Sequence, residues 1–199
     1  MVGDACFFDR IAADWDATRA ADEEKISRLV NMIGLGPGAR VLDAGSGTGI
    51  LLPFIKNITG SQGQITAVDF SAKMLAIAQA KYAGLGGIEF VVADIMSFMT
   101  DNLYDAIVCF NFFPHIKDKH LFFQHMRNIL VEKGILTIMH DLSREQVNAI
   151  HGGTAAVQDD RLAAAATVCE WLTAAGYNVV NVIDGNDCYF IKAAKSSQQ

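Results

Sequence analysis

Proline is scarce in this chain, three in 199 residues, and no fixed internal period runs through it, which excludes collagen-like, repeat and low-complexity architectures. The four cysteines (Cys6, Cys109, Cys169, Cys188) stand apart with no CxxC pair. Neither a disulfide frame nor a cysteine zinc site is expected, and the thiols fit a reducing, cytoplasmic setting. The longest apolar runs, such as Ala106 to Phe110, are strand-sized and far below the roughly 20 residues that cross a bilayer, so no membrane partner is expected. Asp4, Asp9 and Arg10 interrupt the stretch that a signal peptide would need to keep apolar. There is no Lys/Arg run, and 16 basic against 22 acidic residues give a net charge of -6, which argues against a nucleic-acid partner.

What is abundant is apolar material. The chain is 51% hydrophobic and 19% charged, enough for one domain over residues 1–199 with a substantial core, as a monomer or a homodimer. Within it we expect a helical cap over 1–34, a core over 39–193 and a frayed tail over 195–199. Asp22 to Ile33 sets Ile26, Leu29, Val30 and Ile33 at helical spacing, and the run Gly34 to Gly38 stops it. Short apolar strands follow at Ala39 to Leu42, Gln64 to Val68, Ile88 to Ala93, Asp105 to Phe110 and Ile135 to His140. Helical stretches separate them, among them Ala72 to Ala83, capped by Ser71, and Lys117 to Glu132, with Gly134 beyond its end. Strands that alternate with helices imply an α/β fold with a doubly wound, mostly parallel sheet, whose ligands sit at the carboxyl edge. Tyr177 to Ile183 and Cys188 to Ala193, joined through Asp184-Gly185-Asn186-Asp187, read as an antiparallel pair.

The first strand runs into Asp43-Ala44-Gly45-Ser46-Gly47-Thr48-Gly49 and then the helical Ile50 to Asn57. Glycines permit a tight turn and a close ligand approach, and a following helix presents N–H groups and a positive dipole end to an anion. Nucleotides, dinucleotides and other adenosyl ligands all use such a turn. Asp69 narrows the choice: it closes the second strand 20 residues past Gly49 (69 − 49 = 20), where a carboxylate can accept both ribose hydroxyls. Asp94 follows the third strand, placed to accept from an adenine amine while Phe70, Met74 and Ile95 flank the base. Asp often caps helices, but three successive strand ends that each supply an acid point to an adenosine ligand.

The segments VLDAGSGTG, AVDFS, ADIMSF, YDAIVCFNFFPHIKD and KGILTIMHD, in that order, resemble the class I S-adenosylmethionine-dependent methyltransferases from about Phe8 to Ala193. The leader FDRIAADWD is similar to that of the group containing quinone-biosynthesis methyltransferases. The resemblance implies a seven-stranded Rossmann-like methyltransferase fold with S-adenosyl-L-methionine as cofactor. It implies that Gly45, Gly47 and Gly49, with Ser46 and Thr48 between them, line the methionine part. Asp69 then holds the ribose, Asp94 with Ile95 the adenine, and Asn111 lies beside the methionine end under Trp15 or Arg10. A sulfonium tolerates a carboxylate such as Asp43 and is already a good leaving group, so the protein has mainly to align a nucleophile and exclude water.

Two histidines near the ligand edge, His115 and His140, are the candidates to orient or deprotonate the acceptor, because imidazole titrates near neutral pH. His151 is a weaker candidate, and these histidines show no spacing that dictates a metal site. The lid material, Phe7 to Arg28 and Ser143 to Asp160, is small, which suits a small-molecule acceptor. A nicotinamide oxidoreductase would share the glycine turn and the ribose acid, but its usual spacing is GxGxxG, whereas Gly45, Gly47 and Gly49 give GxGxG. A non-catalytic protein that binds the same cofactor is the other alternative.

Overall fold

The computed structural model describes residues 2–18 and 21–197. Its α/β fold contains a seven-stranded sheet, and the chain divides into two compact units, residues 1–98 and 99–199.

The first unit opens with α1 (Val2–Ile11), a 3-10 turn (Ala12–Asp14), α2 (Trp15–Thr18) and α3 (Glu23–Ile33). Asp22 caps α3 by accepting the Lys25 N–H, and Gly34 ends it in the left-handed region at φ 77°. The predicted face of Ile26, Leu29, Val30 and Ile33 is buried. Strands β1 (Arg40–Ala44), β2 (Gln64–Asp69) and β3 (Ile88–Val92) are parallel in the order β3-β2-β1, crossed by α4 (Leu52–Thr59) and α5 (Ala72–Lys81). Ser71 caps α5 as expected, accepting the Met74 N–H. Asp43 pairs with Ala67. Side chains two apart share a face, so Asp43 and Asp69 project to the same side of the sheet, one pleat apart.

The second unit holds β4 (Tyr104–Phe110), a 3-10 turn (Phe113–His115), α6 (Lys119–Asn128), β5 (Leu130–His140), α7 (Arg144–Gly152), α8 (Ala165–Ala174), β6 (Tyr177–Asp184) and β7 (Tyr189–Lys195). The order is β4-β5-β7-β6, with β4 and β5 parallel and β7 antiparallel to both neighbours. A Ser143/Gln146 capping box starts α7. The helix expected to reach Glu132 stops at Asn128, because Tyr104 at the start of β4 donates its N–H to Ile129 and pairs with Leu130. Apolar residues that completed a helical face are drawn into a strand instead, and Gly134 lies inside β5 rather than beyond a helix. The expected tail also starts late: Lys195 is the last residue of β7, and its ammonium donates to the Leu130 carbonyl at 2.8 Å. Among the described residues no helix is long and apolar enough to cross a membrane.

Candidate functional site

Asp43 is the fourth residue of β1 and is 1% exposed, with no hydrogen-bond partner for Oδ2. Burial, reinforced by the negative charge of Asp69, pushes its carboxyl up to about 7. The turn after β1 places Gly45, Gly47 and Gly49 at φ 73°, 53° and 81°, which L side chains rarely adopt. The three glycines serve different ends. A methyl group on Gly49 would meet Leu52, Tyr82 and Ala78 at 2.6, 3.0 and 3.1 Å, so this glycine lets α5 pack against the turn; a methyl group on Gly47 would meet nothing within 4 Å. Gly47 thus keeps one side of the turn open, next to the buried Ser46 hydroxyl, which also lacks a hydrogen-bond partner.

The turn's own N–H groups are held within the fold. Gly45 and Ser46 both donate to the Val68 carbonyl, Gly49 donates to Ser46, and Gly47 donates to Asp69 Oδ2 at 2.8 Å. The end of β2 therefore sets the turn's shape and engages three of its amides, those of Gly45, Ser46 and Gly47, while the Gly49 amide closes the turn on itself. Asp69 is buried, and its Oδ1 accepts the Ser71 N–H at 2.8 Å. Those two bonds take two of a carboxylate's roughly four acceptor directions. Ala93 donates its N–H to the Asp69 carbonyl, and Asp94 Oδ1 accepts the Met96 N–H at 3.0 Å, so the half-buried Asp94 sits on a braced bend directly after β3. Met74 and Ile95 are buried and Phe70 is half-buried. The first unit thus contains all of the expected cofactor residues except Asn111.

The N-terminal helices fasten onto this cradle through two acids that the sequence did not assign to the site, Asp9 and Asp16, and through aromatic contacts that include the expected Trp15. Asp16 Oδ1 accepts the Thr48 hydroxyl at 2.6 Å and its Oδ2 pairs with Lys81 at 2.7 Å. Desolvation works against its charge, but these donors hold its carboxyl below the usual range. Asp9 accepts from the Ser71 hydroxyl at 2.5 Å. The Phe8 ring lies 5.7 Å from both Phe70 and Trp15. Arg10, expected over the cofactor, stands 5.8 Å from the Phe7 ring.

In the second unit, Asn111 adopts φ 52°, donates its N–H to Met139 and its amide to Asp141 Oδ1 at 2.8 Å. His140 ends β5 at 1% exposure, edge-on to Tyr189 at 5.9 Å, and is an interior group. His115 is 19% exposed on the turn that follows β4, and its Nδ1 lies 2.7 Å from Asp160, an acid that the sequence marked only as the end of a lid segment. Among the described residues no group of three or more His, Cys, Asp or Glu could hold a metal ion.

Comparison with known proteins bears on this geometry. A family model described as "Methyltransferase domain" matches residues 41–134, from β1 into β5. A ubiquinone/menaquinone biosynthesis C-methyltransferase of Teredinibacter turnerae is 28% identical over 141 residues, 66% of this chain and 57% of the relative. The chain therefore spans less than two thirds of that relative's length. Among solved structures, a methyltransferase of Haloferax volcanii, described as putative and bound to the Trm112 activator, superposes with a TM-score of 0.80 at 18% identity, over 96% of this chain and 98% of that one. The N-methyltransferase NodS of Bradyrhizobium japonicum, in complex with S-adenosyl-L-homocysteine, superposes with a TM-score of 0.67 at 18% identity, covering 88% of each chain. These structural likenesses are likenesses of fold, and neither the nicotinamide reading nor the non-catalytic one is favoured by any of the matches.

Proposed function

We propose, from the premise that the chain belongs to the class I S-adenosylmethionine-dependent methyltransferases, that it moves a methyl group from S-adenosyl-L-methionine to a small-molecule acceptor by in-line displacement. The observation that carries the proposal is two buried polar atoms that lack a hydrogen-bond partner, Asp43 Oδ2 near the end of β1 and Ser46 Oγ on the turn after it, whose central glycine leaves one side open. Buried polar groups are normally hydrogen-bonded, and this pair suits a ligand with cationic and donor groups. When bound, the cofactor supplies an activated methyl group on a sulfonium leaving group. In this reading Gly45, Ser46, Gly47, Thr48 and Gly49 shape the methionine end. Asp69 accepts the ribose hydroxyls, and Asp94 accepts from the adenine amine between Phe70, Met74 and Ile95. The acceptor's proton falls to His115 rather than His140, because a base must be reachable by its substrate. The whole serves as one methyltransferase domain.

Calorimetry with S-adenosylmethionine and with NAD tests the cofactor: micromolar affinity for the first and none for the second is the expected pattern, and preference for NAD rejects the assignment. Asp69→Ala is expected to weaken S-adenosylmethionine binding more than about tenfold, or about 1.4 kcal/mol, through loss of charged hydrogen bonds. Unchanged affinity would show that Asp69 does not hold the ribose. Methyl-labelled cofactor, offered to a panel of phenols, amines, thiols and quinone-biosynthesis intermediates, identifies the acceptor class; the quinone-biosynthesis relatives put the last of these first in line.

A further inference from the structure

Asp160 in the second unit is not among the residues expected to hold the cofactor, yet three side chains converge on it. It is 4% exposed. Its Oδ2 lies 2.7 Å from His115 Nδ1, its Oδ1 accepts from the Lys117 ammonium, and its backbone carbonyl lies 2.6 Å from His151 Nδ1. The His115 and His151 rings are 5.1 Å apart between centroids. Both halves of the pair are anchored. The Asp160 N–H donates to Val157, and two residues on, Leu162 exchanges hydrogen bonds with the Asn148 side chain of α7 at 2.8 and 3.0 Å. On the other side, the Lys119 ammonium donates to the Phe113 and Pro114 carbonyls and holds the turn that carries His115.

This geometry decides where protons sit. Burial opposes the Asp160 charge, but the bonds from His115 and Lys117 outweigh it and hold the carboxyl at about 2. An ionised carboxylate only accepts, so His115 Nδ1 must donate, and in the neutral ring the basic lone pair is then on Nε2. Among the described charged and titratable groups, Asp160 and His151 face the imidazole, Lys117 reaches it through Asp160, and Lys119 holds the turn behind it.

Resting on the methyltransferase reading above, we propose that Asp160 is a positioning residue, which fixes His115 as the Nδ1–H tautomer so that Nε2 takes the proton of the acceptor's nucleophile. The acceptor's X–H bond breaks toward Nε2, the freed pair forms the X–CH3 bond, and the pair of the C–S bond leaves on sulfur. The imidazolium left beside Asp160 returns its proton to water.

Long-range proton–nitrogen correlation spectra of the full chain, labelled with 15N-histidine and followed over a pH series until the neutral-ring signals dominate, read the tautomer directly. The wild type is expected to show His115 protonated on Nδ1. Asp160→Asn, whose amide can offer its own N–H, is expected to swap the proton to Nε2, and Asp160→Glu to restore it. Acylation of His115 by diethylpyrocarbonate, mapped by mass spectrometry, should slow at least about tenfold in Asp160→Asn, as a wrong tautomer requires. A mere loop clamp would change melting temperature without moving either readout. An Nε2–H tautomer in the wild type overturns the proposal even if no variant folds, and so does an unchanged tautomer or acylation rate in folded Asp160→Asn. Failure to bind S-adenosylmethionine with the expected tautomer intact would instead sink the methyltransferase reading alone.

Discussion

Alanine at Gly49 and alanine at Gly47 are the same chemical change at positive φ, yet the structure predicts unequal outcomes. Holding an L residue in the left-handed region costs about 1–2 kcal/mol, and this strain applies at both sites. Only at position 49 does the new methyl group arrive within 2.6 Å of Leu52 and about 3 Å of Tyr82 and Ala78. Leu52 and Ala78 are fully buried, so the atoms can yield only by repacking, which typically costs a further 1–3 kcal/mol or about that. The two effects together put Gly49→Ala about 2–5 kcal/mol below wild type, and Gly47→Ala about 1–2 kcal/mol below it. The gain from a stiffer unfolded chain, about 0.4–1 kcal/mol, offsets both alike and leaves their difference untouched. Urea unfolding with a common m-value measures that difference. Binding of S-adenosyl-L-homocysteine should rank them in the opposite order among folded molecules, since only the Gly47 methyl group projects to the open side of the turn. If Gly49→Ala unfolds at the same urea concentration as Gly47→Ala, the assignment of Gly49 to packing is wrong.

Two further expectations concern acids of the first unit. The Asp43 carboxyl titrates near 7 in the fold against an ordinary value of 3.8, so the folded state binds the extra proton and stability falls as pH rises from about 4 to 7. Asp43→Asn should flatten thermal stability across that window and raise it at pH 8; a variant with the wild-type slope would place the effect elsewhere. Asp160 departs in the other direction, and its contribution is lost only as pH falls from the ordinary value toward 2. Asp16→Ala breaks the contacts to Thr48 and Lys81, but both acid and lysine are well exposed, so global stability should change by less than about 1 kcal/mol. Amide exchange in α2 should nevertheless quicken, and unaltered exchange would show that the latch holds nothing.

The order of elements was legible because strand and helix periods are local properties, and so was the cap at Ser71. The boundary between α6 and β5 was not, since Ile129 and Leu130 satisfy a helical period and yield only to Tyr104, a distant partner. The same division runs through the candidate site. Asp43, Asp69 and Asp94 were readable as acids at strand ends. Asp9, Asp16 and Asp160 were not: their partners lie 62, 32 and 45 residues away, and no neighbouring residue distinguishes them from solvated acids. The glycine turn was recognised for its shape, but the acceptors of the Gly45, Ser46 and Gly47 amides, Val68 and Asp69, belong to another strand and could not be read from the pattern.

Strand β7 is made after β6 but pairs on one side with β5 and on the other with β6. A ribosome that has delivered everything through Asp184 has still not delivered the bridge between two of its own products. Until Tyr189 to Lys195 emerge, the flank of β5 that receives them is uncovered and β6 has nothing to join. Assembly of this half must therefore wait on those seven residues, and a break in the chain between β6 and β7 leaves β5 with an open flank and β6 with no sheet to join.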